Sequence, residues 1–89
     1  MMIQKQNSSV KYTSSSGYSY RGFITLTDSY LIFNKHDEII TKLVKEEISS
    51  FQINSNLFTK YISIRVNGKD HKFYADSKSI VKIVNFIKD

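Results

Sequence analysis

Cysteine and proline are both absent from these 89 residues, and glycine occurs only three times. Without cysteine the chain has no disulfide staple and no thiolate metal ligand. No apolar run approaches the roughly 18 residues that a membrane-spanning helix needs. The opening stretch, MMIQKQNSSV, lacks the apolar core of a secretory signal. A cytoplasmic protein is the expectation. Chemical signatures are missing too: there is no HExxH spacing and no glycine-rich phosphate loop. His36, Asp37 and Glu38 are consecutive, so on a strand they alternate faces and do not converge. His71 stands alone, and the many serines form no triad pattern. A domain this small also has little room for an enclosed substrate pocket. Neither enzymatic activity, a metal, a cofactor nor a small-molecule substrate is expected.

What the chain does have is aromatic bulk and positive charge. Six phenylalanines and six tyrosines supply the large apolar areas that a short chain needs to build a core. The net charge of +5 is uneven. Residues 1–22 carry +3, residues 23–48 carry −2, and residues 49–89 carry +4. Such a balance suits anionic partners (phospholipid headgroups, nucleic acid or an acidic protein) and equally a solvated lysine-rich surface.

The length fits one domain, over residues 10–89, behind a polar and frayed N-terminus at residues 1–9. Residues 22–34, GFITLTDSYLIFN, organise it. Two β-favouring runs flank the polar break Thr27-Asp28-Ser29, which reads as a hairpin. Before it, Val10–Thr13 and Tyr18–Thr27 read as strands separated by the turn Ser14-Ser15-Ser16-Gly17. Gly22 inside the second strand marks a bulge or a close backbone approach. Tyr30–Lys35 places Leu31 and Phe33 on one face. Glu38–Val44 fits helix or strand by periodicity, and its β-branched content favours strand. Lys45-Glu46-Glu47 breaks the pattern. Ile48–Ile53 is a short strand with a bulge near Ser49-Ser50, and Asn54-Ser55-Asn56 reads as a turn. Tyr61–Val66 alternates apolar and polar residues. Asn67-Gly68 then supplies the two positive-φ positions of a tight hairpin turn, and Lys69–Ala75 returns. Finally the period changes. Asp76 or Ser77 caps a helix whose apolar stripe is Ile80, Ile83, Val84 and Ile87, with Lys78, Lys82 and Asn85 opposite. No proline interrupts it before Lys88. The expected fold is mainly β: a bent antiparallel sheet of about seven strands, a partly open barrel, capped by one C-terminal amphipathic helix. OB-like and SH3-like barrels are the rival folds.

That order of elements resembles the pleckstrin-homology-like superfold, and in particular the GRAM domain and bacterial PH-like domains. Residues 22–33 resemble the family's hairpin, G-x-L-x-L-T-x-x-R-L-I-F, with Tyr30 where the family often carries a base. Ile48-Ser-Ser-Phe51 resembles its I-x-x-I strand, residues 61–73 its late glycine-turn hairpin, and the final helix completes the likeness over roughly residues 10–88. The resemblance implies a binding module. In the PH-like pattern that holds inositol phosphates, Lys11 and Arg21 fill two places and Phe23 falls on the third. Lys35 and His36 lie at the next loop, and Lys60 is a further candidate base.

Three partner classes follow. Protein–protein contact or self-association is the leading expectation, because an open sheet leaves strand edges to which another strand can add. The edges are expected near Val10 and at Glu38–Val44. Leu57 and Phe58, in the loop after Asn54–Asn56, form an interaction loop or fold inward to plug the barrel end. The second class is an anionic membrane surface on the inner face of the membrane, met through Lys11, Arg21, Lys35, His36 and Lys60. The third is single-stranded nucleic acid stacked on Tyr12, Tyr18, Tyr20, Tyr30, Tyr61 and Tyr74.

Overall fold

A computed structural model describes Gln4–Lys5 and residues 9–89. The strands are β1 (Gln4–Lys5), β2 (Val10–Thr13), β3 (Ser19–Leu26), β4 (Tyr30–Lys35), β5 (Glu38–Val44), β6 (Ile48–Ser55), β7 (Lys60–Val66) and β8 (Lys69–Tyr74). A 3₁₀ turn at Lys45–Glu47 separates β5 from β6, and helix α1 spans Ser77–Lys88. Of the segment expected to be frayed, residues 1–3 and 6–8 lie outside the described residues, and Gln4–Lys5 pairs with the far half of β3.

Seven strands form one antiparallel sheet in the order β5-β4-β3-β2-β8-β7-β6. The chain therefore meanders outward to β5, crosses through the 3₁₀ turn, and meanders back from β6. The first strand of the meander, β2, pairs with both β3 and β8. Strands β5 and β6 stand at the two ends and do not pair, so the sheet stays open. One sequence expectation is corrected here. The strand at Val10 is not an edge but the centre of the sheet, and the second edge is β6. The β2–β8 pairing joins residues about sixty positions apart, such as Tyr12 with Phe73. No local pattern announces it.

The core lies on the inner face. Val10, Tyr12, Ile24, Leu31, Phe33, Ile62, Ile64 and Phe73 are all buried there. Helix α1 closes one end of the bent sheet. Asp76 is its cap, accepting from the Ser79 backbone N–H at 2.8 Å, and Ile80, Ile83 and Phe86 are buried. Burial of each such side chain contributes about 1.5–3 kcal/mol, far more than a helix of this length gains by itself. Phe86 takes the inward place beside Ile80 and Ile83, while Val84 and Ile87 of the expected stripe pack partly buried at its margin.

Gly22 is a close approach and not a bulge. It is the last residue of β3 to pair with β2, opposite Val10, the pairing with β4 begins at Phe23↔Asn34, and neither ladder shifts register. A Cβ placed there would lie 2.0 Å from the Asn34 carbonyl oxygen. The hairpin turn at Asn67-Gly68 has φ of 53° and 76°, as its sequence demands. Pairing at the end of β6 runs further than expected: Asn54 and Ser55 still pair with Tyr61 and Lys60, so only Asn56 begins the turn. Among the described residues, no helix is long and apolar enough to cross a membrane.

Candidate functional site

The most unusual surface is the free edge of β6. Residues 48–59, ISSFQINSNLFT, form the longest stretch of the chain without a charged residue, and most of it is this one strand. No other described strand pairs with its outer side. Its pairing with β7 slips once, between Ile48 and Ser50. There the Ser49 hydroxyl donates to the Arg65 carbonyl at 3.2 Å and pins the extra residue. From Ser50 to Ser55 the register then runs without interruption. Phe51 and Ile53 sit opposite Ile64 and Ile62, so they belong to the inner, apolar face. Ser50, Gln52 and Asn54 belong to the outer face. Phe51 packs partly buried against the core, but Ile53 at the rim remains 46% exposed.

The strand leads into a rigid tip. Asn56 Oδ1 accepts from the Phe58 N–H at 2.9 Å, the Thr59 N–H at 2.7 Å and the Thr59 hydroxyl at 3.0 Å. This side-chain turn holds Leu57 and Phe58 out in solvent, each 92% exposed. The inward, barrel-plugging alternative is thereby corrected: both side chains stand in solvent, and it is Ile80, Ile83 and Phe86 of the helix that are buried in the core. At the base of the hairpin, Lys60 Nζ donates to the Ser77 hydroxyl, tying the tip to the start of α1.

The five basic candidates fall into three places. Lys11 and Arg21 are directly opposite each other on β2 and β3, and both are exposed. Lys11 also stands opposite Tyr74, with Nζ 5.0 Å above that ring. Arg21 Nη1 donates to the Ser9 hydroxyl at 3.0 Å. Lys35 and His36 occupy the β4–β5 turn, in a shallow hollow with Tyr20, Asp37, Glu38 and Ile40, where two carboxylates offset the bases. Lys60 belongs to the β6–β7 hairpin. In an antiparallel meander alternate turns lie at opposite ends. The β4–β5 turn shares its end with the β2–β3 and β7–β8 turns, and the β6–β7 tip shares the other end with the start of α1. The structure thus joins Lys11 to Arg21 and separates Lys60 from Lys35 and His36.

Sequence reasoning overlooked Lys72. The residues Arg21, Lys11, Tyr74 and Tyr61 follow one another across β3, β2, β8 and β7 on the outer face. The Tyr61 and Tyr74 rings pack 4.8 Å apart, and Lys72 Nζ lies 5.5 Å from the Tyr61 ring. Tyr30 lies under Lys42 Nζ, and Tyr18 is exposed. Tyr12 is buried, with its hydroxyl 2.7 Å from His71 Nδ1. Burial pushes the Tyr12 hydroxyl above its ordinary range, partly opposed by a hydrogen bond with the Thr41 side chain. Burial likewise pushes His71 below its ordinary value, with Lys69 adding to the shift, so the ring is neutral near pH 7. Among the described residues, no group of three histidine or carboxylate side chains is placed to hold a metal.

Comparison of the chain with protein-family models matches none, and comparison with curated proteins finds no similar sequence.

Proposed function

We propose that this chain is a non-enzymatic binding module that makes protein–protein contacts, including contacts with itself, by adding a strand to the β6 edge. The observation that carries this reading is the uncharged, unpaired edge running into the exposed Leu57-Phe58 tip. Sheet proteins commonly blunt a free edge with lysine, proline or a central bulge, because unpaired N–H and C=O groups recruit other strands. Here Ser50–Ser55 carries none of these devices. Main-chain hydrogen bonds would supply affinity, and Ile53, Leu57 and Phe58 would add apolar area beside them. The resemblance to GRAM and PH-like domains is compatible with this role. Its support is the meander in which the first strand meets both the second and the last, with a terminal helix across one end. Folds of this kind host unrelated functions, so the site carries the argument and not the fold.

Light scattering behind size exclusion tests the reading over a dilution series at low and high salt. The expected result is a mass above the monomer that falls on dilution and changes little with salt, since no charge lies in the edge. A monomer at every concentration rejects self-association.

One observation favours a second reading. Lys11, Arg21 and Lys72 share the outer face beside the Tyr61–Tyr74 pair, an arrangement suited to an anionic lipid surface. Each well-placed base would contribute about 1 kcal/mol. Uptake on anionic vesicles that is greater than on neutral ones, and lost in Lys11→Glu, Arg21→Glu, is the expected outcome. Equal uptake at low salt removes the idea.

A further inference from the structure

We infer that the strand added to β6 is the β6 of a second copy, running antiparallel, with a two-fold axis through Gln52. This rests on the protein-contact reading above and specifies its partner and register.

Symmetry restricts how two such strands can pair. In a two-fold pair of identical antiparallel strands, the numbers of opposed residues add to a constant. Opposed residues must also share a face of the joint sheet, so both numbers are odd or both are even. The axis therefore passes through a residue and not between two. Regular β6 geometry runs from Ser50 to Ser55, which leaves few choices. An axis at Phe51 sets Ile53 against Ser49, the displaced residue of the bulge. An axis at Ile53 sets Phe51 against Ser55. An axis at Gln52 sets Phe51 against the other copy's Ile53, and Ile53 against its Phe51, on the inner face that both residues already share. On the outer face it sets Gln52 against Gln52 and Ser50 against Asn54. Only this register gives aromatic–β-branched pairs on the apolar face and amide or hydroxyl pairs on the polar face, the combinations favoured across antiparallel strands.

Charge permits a two-fold contact on this strand. A residue on the axis of an isologous contact faces its own copy, so a charge there would oppose itself. The strand has none. Joining two copies in this way merges two open sheets into one continuous sheet and covers Ile53, now 46% exposed.

The chain has no cysteine, so single introduced thiols report the register without background. Opposed residues in an antiparallel pair have Cα atoms about 4.5–5.5 Å apart, within the roughly 4.4–6.8 Å that a disulfide spans. With the axis on residue 52, Gln52→Cys links to its own copy under mild oxidation. Ile53→Cys stands two residues out of register with itself, about 8 Å by strand rise and spacing, and Asn54→Cys is further still. The expected result is covalent dimer in Gln52→Cys about tenfold above Ile53→Cys, and linkage of Ser50→Cys to Asn54→Cys only when the two variants are mixed. Ser50 and Gln52 are exposed on the outer face, Asn54 is half-buried there, and Ile53 is exposed at the rim of the inner face, so the substitutions leave the core intact. Stronger linkage in Ile53→Cys overturns the register. Failure of both Gln52→Cys and the mixed pair to link, with wild-type mass still above the monomer, overturns it too and leaves the protein-contact reading standing. A wild-type monomer at every concentration overturns the two-fold pairing and self-association together, and leaves only contact with a different protein.

Discussion

The sheet has two edges, and they are built differently. At β5 the edge carries Glu38 and Lys42, and Lys45, Glu46 and Glu47 follow at once. Its pairing with β4 slips between Phe33 and Asn34, leaving Ile40 as an extra residue in the middle of the strand. Lys42 Nζ also lies 4.0 Å over the Tyr30 ring, holding a charge against the last pairs. At β6 the bulge is at the start, and six regular residues follow with no charge. Both edges expose one isoleucine, Ile39 at 57% and Ile53 at 46%. The difference therefore lies not in apolar area but in what accompanies it. A mid-strand bulge and flanking charges are the devices that keep a strand from recruiting another. One edge has both, and the other has neither where it counts.

The largest expected effect concerns how the β5 half is attached. Strand β4 approaches β3 where Gly22 faces the Asn34 carbonyl. Gly22→Ala puts a methyl group into main-chain atoms that cannot rotate away. A loss of about 2–3 kcal/mol is expected, the upper range for forcing extra atoms into a packed site, measured by denaturant unfolding. Amide exchange would rise first in β4 and β5, with β6 protected by its separate pairing to β7. Equal loosening of both edges would show that the two halves do not open independently.

Next comes the matched pair of edge substitutions. Ile53→Lys is expected to reduce the mass to that of the monomer. Ile39→Lys is expected to leave the mass unchanged. Each surface change alters unfolding stability by no more than about 0.5 kcal/mol. If Ile39→Lys dissociates the protein as readily as Ile53→Lys, the distinction between the edges fails.

This contrast also shows what a sequence reveals and what it hides. Where backbone chemistry decides, single residues spoke clearly. Asn67-Gly68 needed positive φ at both positions, Asp76 or Ser77 offered a cap before an apolar stripe, and Gly22 marked either a bulge or a crowded backbone, which the structure resolves as the latter. The hairpin strands and the Ser49 bulge were readable for the same reason. Edge identity was not, because it depends on β2 finding β8 across most of the chain, a contact with no local signature. A usable signal did exist: the charge-free run 48–59 is where a protected edge would carry a lysine. The direction of Leu57 and Phe58 was hidden too. Asn56 announces a turn, but the direction of its neighbours is set by the bonds its side chain makes to the Phe58 and Thr59 backbone, which the sequence pattern does not show.

The smallest expected effect probes the link between the two halves on the inner side. Tyr12 of β2 lies at the centre, hydrogen-bonded to His71 of β8 and to the Thr41 side chain of β5. His71 is held below its ordinary value of about 6.5 by burial, then by Lys69, while Asp70 pulls the other way. The unfolded chain therefore takes up a proton at a higher pH than the folded one. Above about pH 6.5 the ring is neutral in both states and contributes no pH dependence. As pH falls through the unfolded value toward the lower folded value, stability is lost. A series of thermal unfolding curves between pH 7.5 and 5 should show Tm falling, and the fall should be shallower in His71→Gln, which keeps a polar side chain beside the Tyr12 hydroxyl. Because the link runs to Thr41 and not to β6, acidification should loosen amides of β5 before those of β6. A fall in Tm of the same steepness in His71→Gln would place the titrating group elsewhere.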